Sequence, residues 1–491
     1  MFGQLLFCQR GEVACCSYDR NICSVALSKR WGKCPAPSRP NKAELVRTPT
    51  SSTGMLRGQK SARPAAKEDT MPETTPLQIG WDMTELRAAL SSFLDTLPAP
   101  PRLLALGEPT HGADALPAWR NRIFAALVED HGFRSIALES DVIAGLRVNA
   151  HVTTGQYTPA EVMQTGFSHG FGAGAANREL VGWLRNVNAS RAPADHLRFY
   201  GFDAPLENLW AASPRASLLA LHAFLTAHLA ALPVDAATIE HLCGEEARWT
   251  NPAAGMDPAQ STGNSEEARQ LRRLADDLST LLQTETPGLA ARPGFWEAEL
   301  HARTATGLLR YHAVVARPAP DRVARMLALR DLMMADNLSA VARRERERGP
   351  TLVFAHNAHL QRPLSAMNLR GQRLEWWSAG AHLSARLGDQ YAFVAGDLGQ
   401  APTKGIGEPA PDTLTGALMT AAGPARLFSP PSLVAALPAH PARRADLPPQ
   451  AGYFPLSAPE LPLTDGVLFV KNAEDPPEAP MTRPTRPPGQ P

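Results

Sequence analysis

The chain has 491 residues, 44% of them apolar and 20% charged, which describes a folded globular protein rather than a disordered or fibrous one. Forty-nine Lys and Arg against forty-eight Asp and Glu leave a formal charge of +1, so no electrostatic bias draws the chain to nucleic acid or to an anionic membrane. No stretch reaches the roughly 18 consecutive apolar residues that a membrane helix requires, and Met1 to Cys34 lacks the charged, apolar and small-residue succession of a secretory signal.

On these features the protein is expected to be cytoplasmic. Five of the six cysteines, Cys8, Cys15, Cys16, Cys23 and Cys34, crowd into the same N-terminal stretch without a Cys-x-x-Cys pair or a partnering His. Pro, Ser, Thr and Lys dominate the segment from Pro35 to Glu73, so residues 1 to 75 are expected to be a disordered extension, with Met55 or Met71 as the expected start of translation.

From Gly80 to Thr96, Trp81, Leu86, Leu90 and Phe93 recur at three- and four-residue steps and predict an amphipathic helix, ended by Pro98, Pro100 and Pro101. An apolar run, Leu103 to Leu106, leads into the polar turn Gly107, Glu108, Thr110, His111 and Gly112. A helix follows from Ala115 to His131, with Trp119, Ile123, Phe124 and Leu127 on one face and Gly132 as its stop. A second apolar run then closes on Glu139.

Strand, turn, helix and strand form a parallel unit, and in open parallel sheets ligands sit outside the carboxyl ends of the strands. Glu108, His111 and Glu139 therefore fall where chemistry is usually done. Helices are predicted at Val142 to Val152 and Arg178 to Ala189, with a glycine-rich loop from Gly166 to Gly172 between them; such a loop either moves or approaches a ligand closely. Leu197 to Asp203 predicts a further strand ending in a carboxylate.

Residues 205 to 348 read as successive helices broken at Pro233, around Asn251 to Gly263, at Pro287 to Pro293 and at Pro318 to Pro320, a helical insertion suited to form a lid over a bulky substrate. Thr351 to Phe354 returns to strand, the His356 loop follows, and Trp376 to Leu387 predicts a short helix closed by Gly388. Strands are expected at Tyr391 to Ala395 and Gly466 to Val470, and the proline-rich tail, 473 to 491, is expected to be disordered. The fold class is α/β, a mostly parallel sheet flanked by helices with a large helical insertion, in one catalytic domain over 76 to 472.

A neutral imidazole titrates near working pH, so His111 can take a proton from water and return it to a leaving alcohol. Glu108 can orient that ring, or serve simply as an anion at a helix N-terminus. His356 and His359, three apart after a strand, suit metal binding, substrate binding or proton relay, with helix N-terminal capping around Asn357 as the alternative. Arg330 can steady a developing oxyanion or pair with Asp331 or Glu297. His169 and Asp203 are placed by their loop and strand end, where a structural role accounts for them equally well. There is no Gly-x-Ser-x-Gly elbow, Walker loop, Rossmann glycine triplet or His-Glu-x-x-His, so activated water replaces an acyl-enzyme.

Gly-Glu-x-x-His-Gly at 107 to 112, Arg120 nine positions after the His, Glu139 closing the next strand, Arg330-Asp331, and Ala355-His356-Asn357-Ala358-His359 together resemble the erythromycin esterase family over roughly residues 80 to 400. The resemblance implies hydrolysis of an ester or macrolactone, with macrolide resistance as a possible role and a small-molecule ester or macrolide as the partner. It also implies a site of Glu108, His111, Arg120 and Glu139 as catalytic residues, with His356, His359 and Arg330 binding substrate or oxyanion. The expectation is that no metal and no cofactor takes part. Two alternatives stay open: a metal-dependent hydrolase using the same His and Glu cluster, and a small-molecule binding or tailoring protein that does not act on macrolides.

Overall fold

The computed structural model describes residues 77 to 207, 210 to 369, 371 to 477 and residue 481. The expectations for residues 1 to 75 and for most of the C-terminal tail lie outside the described residues.

The apolar runs build one sheet. Its eight strands are β1 (Trp81–Asp82), β2 (Leu103–Glu108), β3 (Ser135–Asp141), β4 (Arg198–Asp203), β5 (Thr351–His356), β8 (Tyr391–Gln400), β9 (Ala425–Phe428) and β10 (Gly466–Asn472); β6 (Ser365–Leu369) and β7 (Gln372–Trp376) form a separate hairpin. The spatial order is β1-β9-β10-β8-β2-β5-β3-β4. The pairs from β10 to β4 are parallel, while β9 runs antiparallel to β10 and β1 antiparallel to β9.

All six residues of β2 and of β5 are buried, as expected of parallel strands covered on both faces. Alternation then sorts their side chains. Leu104, Leu106, Leu352 and Phe354 join one core with Trp119, Phe124, Leu180 and Trp183 from the helices Ala115–Asp130 and Ala175–Asn188. Leu103, Ala105, Val353 and Ala355 join the opposite core with Met334, Leu338 and Val341 from the long helix Arg322–Arg344. Burying a Leu or Phe side chain contributes about 1.5 to 3 kcal/mol, so these two layers fix the strand ends firmly against their helices.

Between Arg215 and Arg344 the described residues are helical, with no strand, and a third core around Leu221, Leu271, Leu278 and Leu309 binds several of these helices to one another. The sheet is mostly parallel with helices on both faces, as the fold class requires.

Several elements differ from the sequence expectation. Trp81 lies in a two-residue edge strand against Leu427, and the helix begins only at Leu86. Trp376 pairs with Ser365 in the hairpin, so the following helix is Ala379–Leu387. β9 was not expected at all. Each of these depends on a partner distant or out of phase in the chain, which local periodicity does not record.

Candidate active site

β2 and β5 are neighbours, and their register places Glu108 opposite His356. The chain leaves β2 toward β3 on one side of it and leaves β5 toward β8 on the other, so this is a topological switch point of the sheet. A Cβ on Gly107 would lie 2.0 Å from Asn357 Oδ1. The missing side chain lets Asn357 donate to Gly396 O and accept from Gly396 N, which locks three strand ends together beside Glu108.

His111 Nδ1 lies 2.7 Å from Glu108 Oε1. A carboxylate oxygen can only accept there, so Nδ1 carries the proton and, in the neutral ring, Nε2 carries the lone pair. That Nε2 is buried without a hydrogen-bond partner and faces Glu139 Oε1 at 3.7 Å. Phe171 and His356 flank the ring, with centroids 5.3 and 5.2 Å away.

Glu139, 2% exposed near the end of β3, accepts from the His356 backbone N–H at 2.8 Å through Oε2 and from Arg330 Nη2 at 3.1 Å through Oε1. His359 Nε2 stands 3.4 Å from the same Oε1. Burial works against the carboxylate's charge, but His359, His111, Arg330 and the His356 N–H outweigh it and hold its pKa well below the usual range.

Arg330 reaches Asp203 at the end of β4 through two nitrogens, Nη2 to Oδ2 at 2.6 Å and Nε to Oδ1 at 3.1 Å. His169 completes this corner. Its Nε2 donates to Asp203 Oδ2 at 3.0 Å and its Nδ1 to Glu207 Oε2 at 2.8 Å, while its backbone N–H donates to Glu207 Oε1. The backbone of His169 is left-handed, at φ 56°, a conformation that costs a non-glycine residue about 1 to 3 kcal/mol and is held here by those carboxylates. Burial opposes the charge on His169, yet Asp203 and Glu207 raise its pKa to about 9.

His356 and His359 have rings 6.4 Å apart but bond to different partners. His356 Nε2 donates to Pro109 O and Gly452 O, at 3.0 and 3.1 Å, and its Nδ1 accepts from Ala358 N. It is therefore neutral, and burial pushes its pKa well below the ordinary value. His359 Nδ1 instead donates to Asp331 Oδ1 at 2.5 Å, and Asp331 Oδ2 also accepts from Trp376 Nε1. Burial lowers the His359 pKa, but Asp331 and Glu139 outweigh it and the net shift is upward.

A cavity of 420 Å³ opens over these strand ends, within the usual size of small-molecule pockets. Glu108, His111, Arg120, Glu139 and His169 line it together with Phe171 and Phe354, whereas His356, His359 and Arg330 lie behind its wall. Arg120 is 1% exposed and bonds Asn121 Oδ1 through Nε and Nη2, with its guanidinium 5.0 Å from the Phe354 ring centroid. Among the described residues no carboxylate lies within ion-pair distance of it. Burial lowers its pKa to about 10, which leaves it charged at neutral pH. Arg122, two positions on, pairs with Glu179 on another face of the helix.

Among the described residues, no three His, Cys, Asp or Glu side chains are grouped so that they could hold a metal ion. Sequence reasoning did not find Asp331 as the partner of His359, nor Glu207, nor Phe171 against His111. The adjacent pair Arg330-Asp331 carried the signal, because consecutive helical residues point about 100° apart and must therefore meet different partners.

Fold and site together define an α/β protein with an acid-base cluster buried at the carboxyl ends of parallel strands. The erythromycin esterase family model matches residues 128 to 458, and the chain belongs to that family, whose class is ester hydrolysis. Three solved structures share the fold. A protein from Bacillus cereus is 18% identical with a TM-score of 0.59, covering 81% of this chain and 94% of its own. A succinoglycan biosynthesis protein is 17% identical with a TM-score of 0.57 over the same shares. A mutant of the erythromycin esterase EreC in its open conformation is 18% identical with a TM-score of 0.55, covering 79% of this chain and 94% of that one. No described helix is long and apolar enough to cross a membrane.

Proposed function

We propose that the protein hydrolyses an ester or macrolactone with water activated by His111. The observation that carries this reading is the partnerless His111 Nε2 at the wall of the cavity, with Glu108 fixing the opposite ring nitrogen and Glu139 3.7 Å beyond. His111 Nε2 takes a proton from water as its oxygen attacks the acyl carbon. The oxyanion that forms faces Arg120, a buried cation with no carboxylate within ion-pair distance among the described residues. Collapse breaks the acyl C–O bond, and the His111 imidazolium returns its proton to the departing oxygen, giving an acid and an alcohol.

In this reading His356, His359 and Arg330 serve the chemistry indirectly. They keep Glu139 ionised and fixed beside His111, and Glu139 in turn orients the water and stabilises the imidazolium as it forms. The oxyanion role passes from Arg330, whose nitrogens are committed to Asp203 and Glu139, to Arg120. A macrolide is the substrate that family membership favours, and macrolide resistance is the corresponding biological role.

The test is incubation of the purified protein with fourteen- and sixteen-membered macrolides and with simple aryl esters in heavy-oxygen water. Ring opening or ester cleavage with one solvent oxygen in the new carboxylate is expected. No cleavage of any of them would overturn the reading.

A further inference from the structure

Asn177 is the third residue of the helix Ala175–Asn188 and lines the same cavity. It is 8% exposed. Its Nδ2 donates to Phe171 O at 2.9 Å, which fixes the amide's orientation, because the opposite flip would set two carbonyl oxygens against each other. Asn177 Oδ1 is then left buried without a hydrogen-bond partner among the described residues. A buried acceptor of this kind is costly unless a partner arrives.

The surroundings narrow what that partner is. No side chain caps the first turn of the Ala175–Asn188 helix, whose residues Ala175 and Ala176 also line the cavity, so the helix presents the positive end of its dipole there. An ammonium group would be repelled by that dipole, and a carboxylate would be repelled by Asn177 Oδ1. A hydroxyl satisfies both, since it donates to the amide oxygen and accepts from backbone N–H groups. Phe171, bonded to Asn177 through its carbonyl and packed on the His111 ring, bridges the two, and Ala173, Leu138 and Phe354 add further apolar wall to the cavity.

From this we infer that Asn177 is a specificity residue, and that the substrate is an ester carrying a hydroxyl group beyond an apolar body, bound by Asn177 Oδ1 at the uncapped helix end. The inference rests on the ester-hydrolase reading for its chemistry, but not for its binding geometry.

The experiment compares phenyl hexanoate with its 3-hydroxy and 6-hydroxy derivatives on the full chain and on Asn177→Leu and Asn177→Asp. In the unaltered protein at least one hydroxy ester is expected to exceed the parent in kcat/KM by about tenfold or more. That advantage disappears in Asn177→Leu and persists in Asn177→Asp, which keeps an acceptor. A purely structural role for Asn177, through its bond to Phe171, would slow all three esters alike and leave their ratios unchanged. The same esters are titrated calorimetrically into His111→Ala protein, where affinity is read without turnover. Absence of turnover with a retained affinity preference would sink the hydrolase reading alone. Equal affinities for all three esters, or a preference that survives Asn177→Leu, would overturn the role of Asn177.

Discussion

Arg330 and Asp203 meet through two nitrogens and two oxygens, both side chains almost fully buried, and so tie the helix Arg322–Arg344 to the end of β4. Removing one member of such a pair leaves an uncompensated charge in the interior, which costs about 3 to 5 kcal/mol. Arg330→Gln is expected to lose up to that much in denaturant unfolding, because Asp203 and Glu139 each lose one of the cations facing them and keep only their histidine partners. The double variant with Asp203→Asn should recover part of the loss. A single variant as stable as the unaltered protein would contradict this account of the corner.

His169 makes the same corner sensitive to alkali. Its folded pKa is raised from 6.5 to about 9, so the stabilisation it brings is fully present below pH 6.5 and is lost as pH rises through 9. The melting temperature should therefore fall between those limits, by an amount reflecting up to about 3 kcal/mol. His169→Gln should be less stable at neutral pH and should lack this alkaline decline.

Asp203 and Glu139 work with the opposite sign. Their folded pKa values are lowered, so their contribution is present above roughly pH 4, the unfolded range, and is lost as pH falls through the lowered values. Acid titration of Asp203→Asn, followed by near-ultraviolet circular dichroism, should show a smaller acid-dependent loss than the unaltered protein.

Arg120→Lys tests the oxyanion role. A lysine keeps the charge but not the planar fork held by Asn121. Turnover should fall about a hundred- to a thousandfold with little change in KM. A change confined to KM would assign Arg120 to ground-state binding instead.

If water is activated by His111 and not by a bound cation, prolonged dialysis against a chelator should leave turnover unchanged, and elemental analysis should find no stoichiometric metal. Loss of activity restored by a divalent cation would favour the metal-dependent alternative.

Much of the sheet was legible because β2, β3, β4 and β5 are buried almost throughout and so appear as largely apolar runs that lead into Glu108, Glu139, Asp203 and His356. Those endings mark the candidate site. The edge was less legible: β1 and β9 are short, and each is defined by pairing with a distant segment. Within the site, His356 and His359 share a spacing but not an environment. One faces the Pro109 and Gly452 carbonyls and the other faces Asp331, and nothing local to the turn encodes that divergence. His169 was ambiguous for a related reason, since Glu207 and Asp203 reach it only through the fold.

In the proposed reaction His111 is the base. Steady-state kinetics of His111→Ala, set beside its circular dichroism and melting temperature, tests this most directly. Turnover should fall at least about a hundredfold with the fold and melting temperature nearly intact. Residual activity above about a tenth of the original would contradict it.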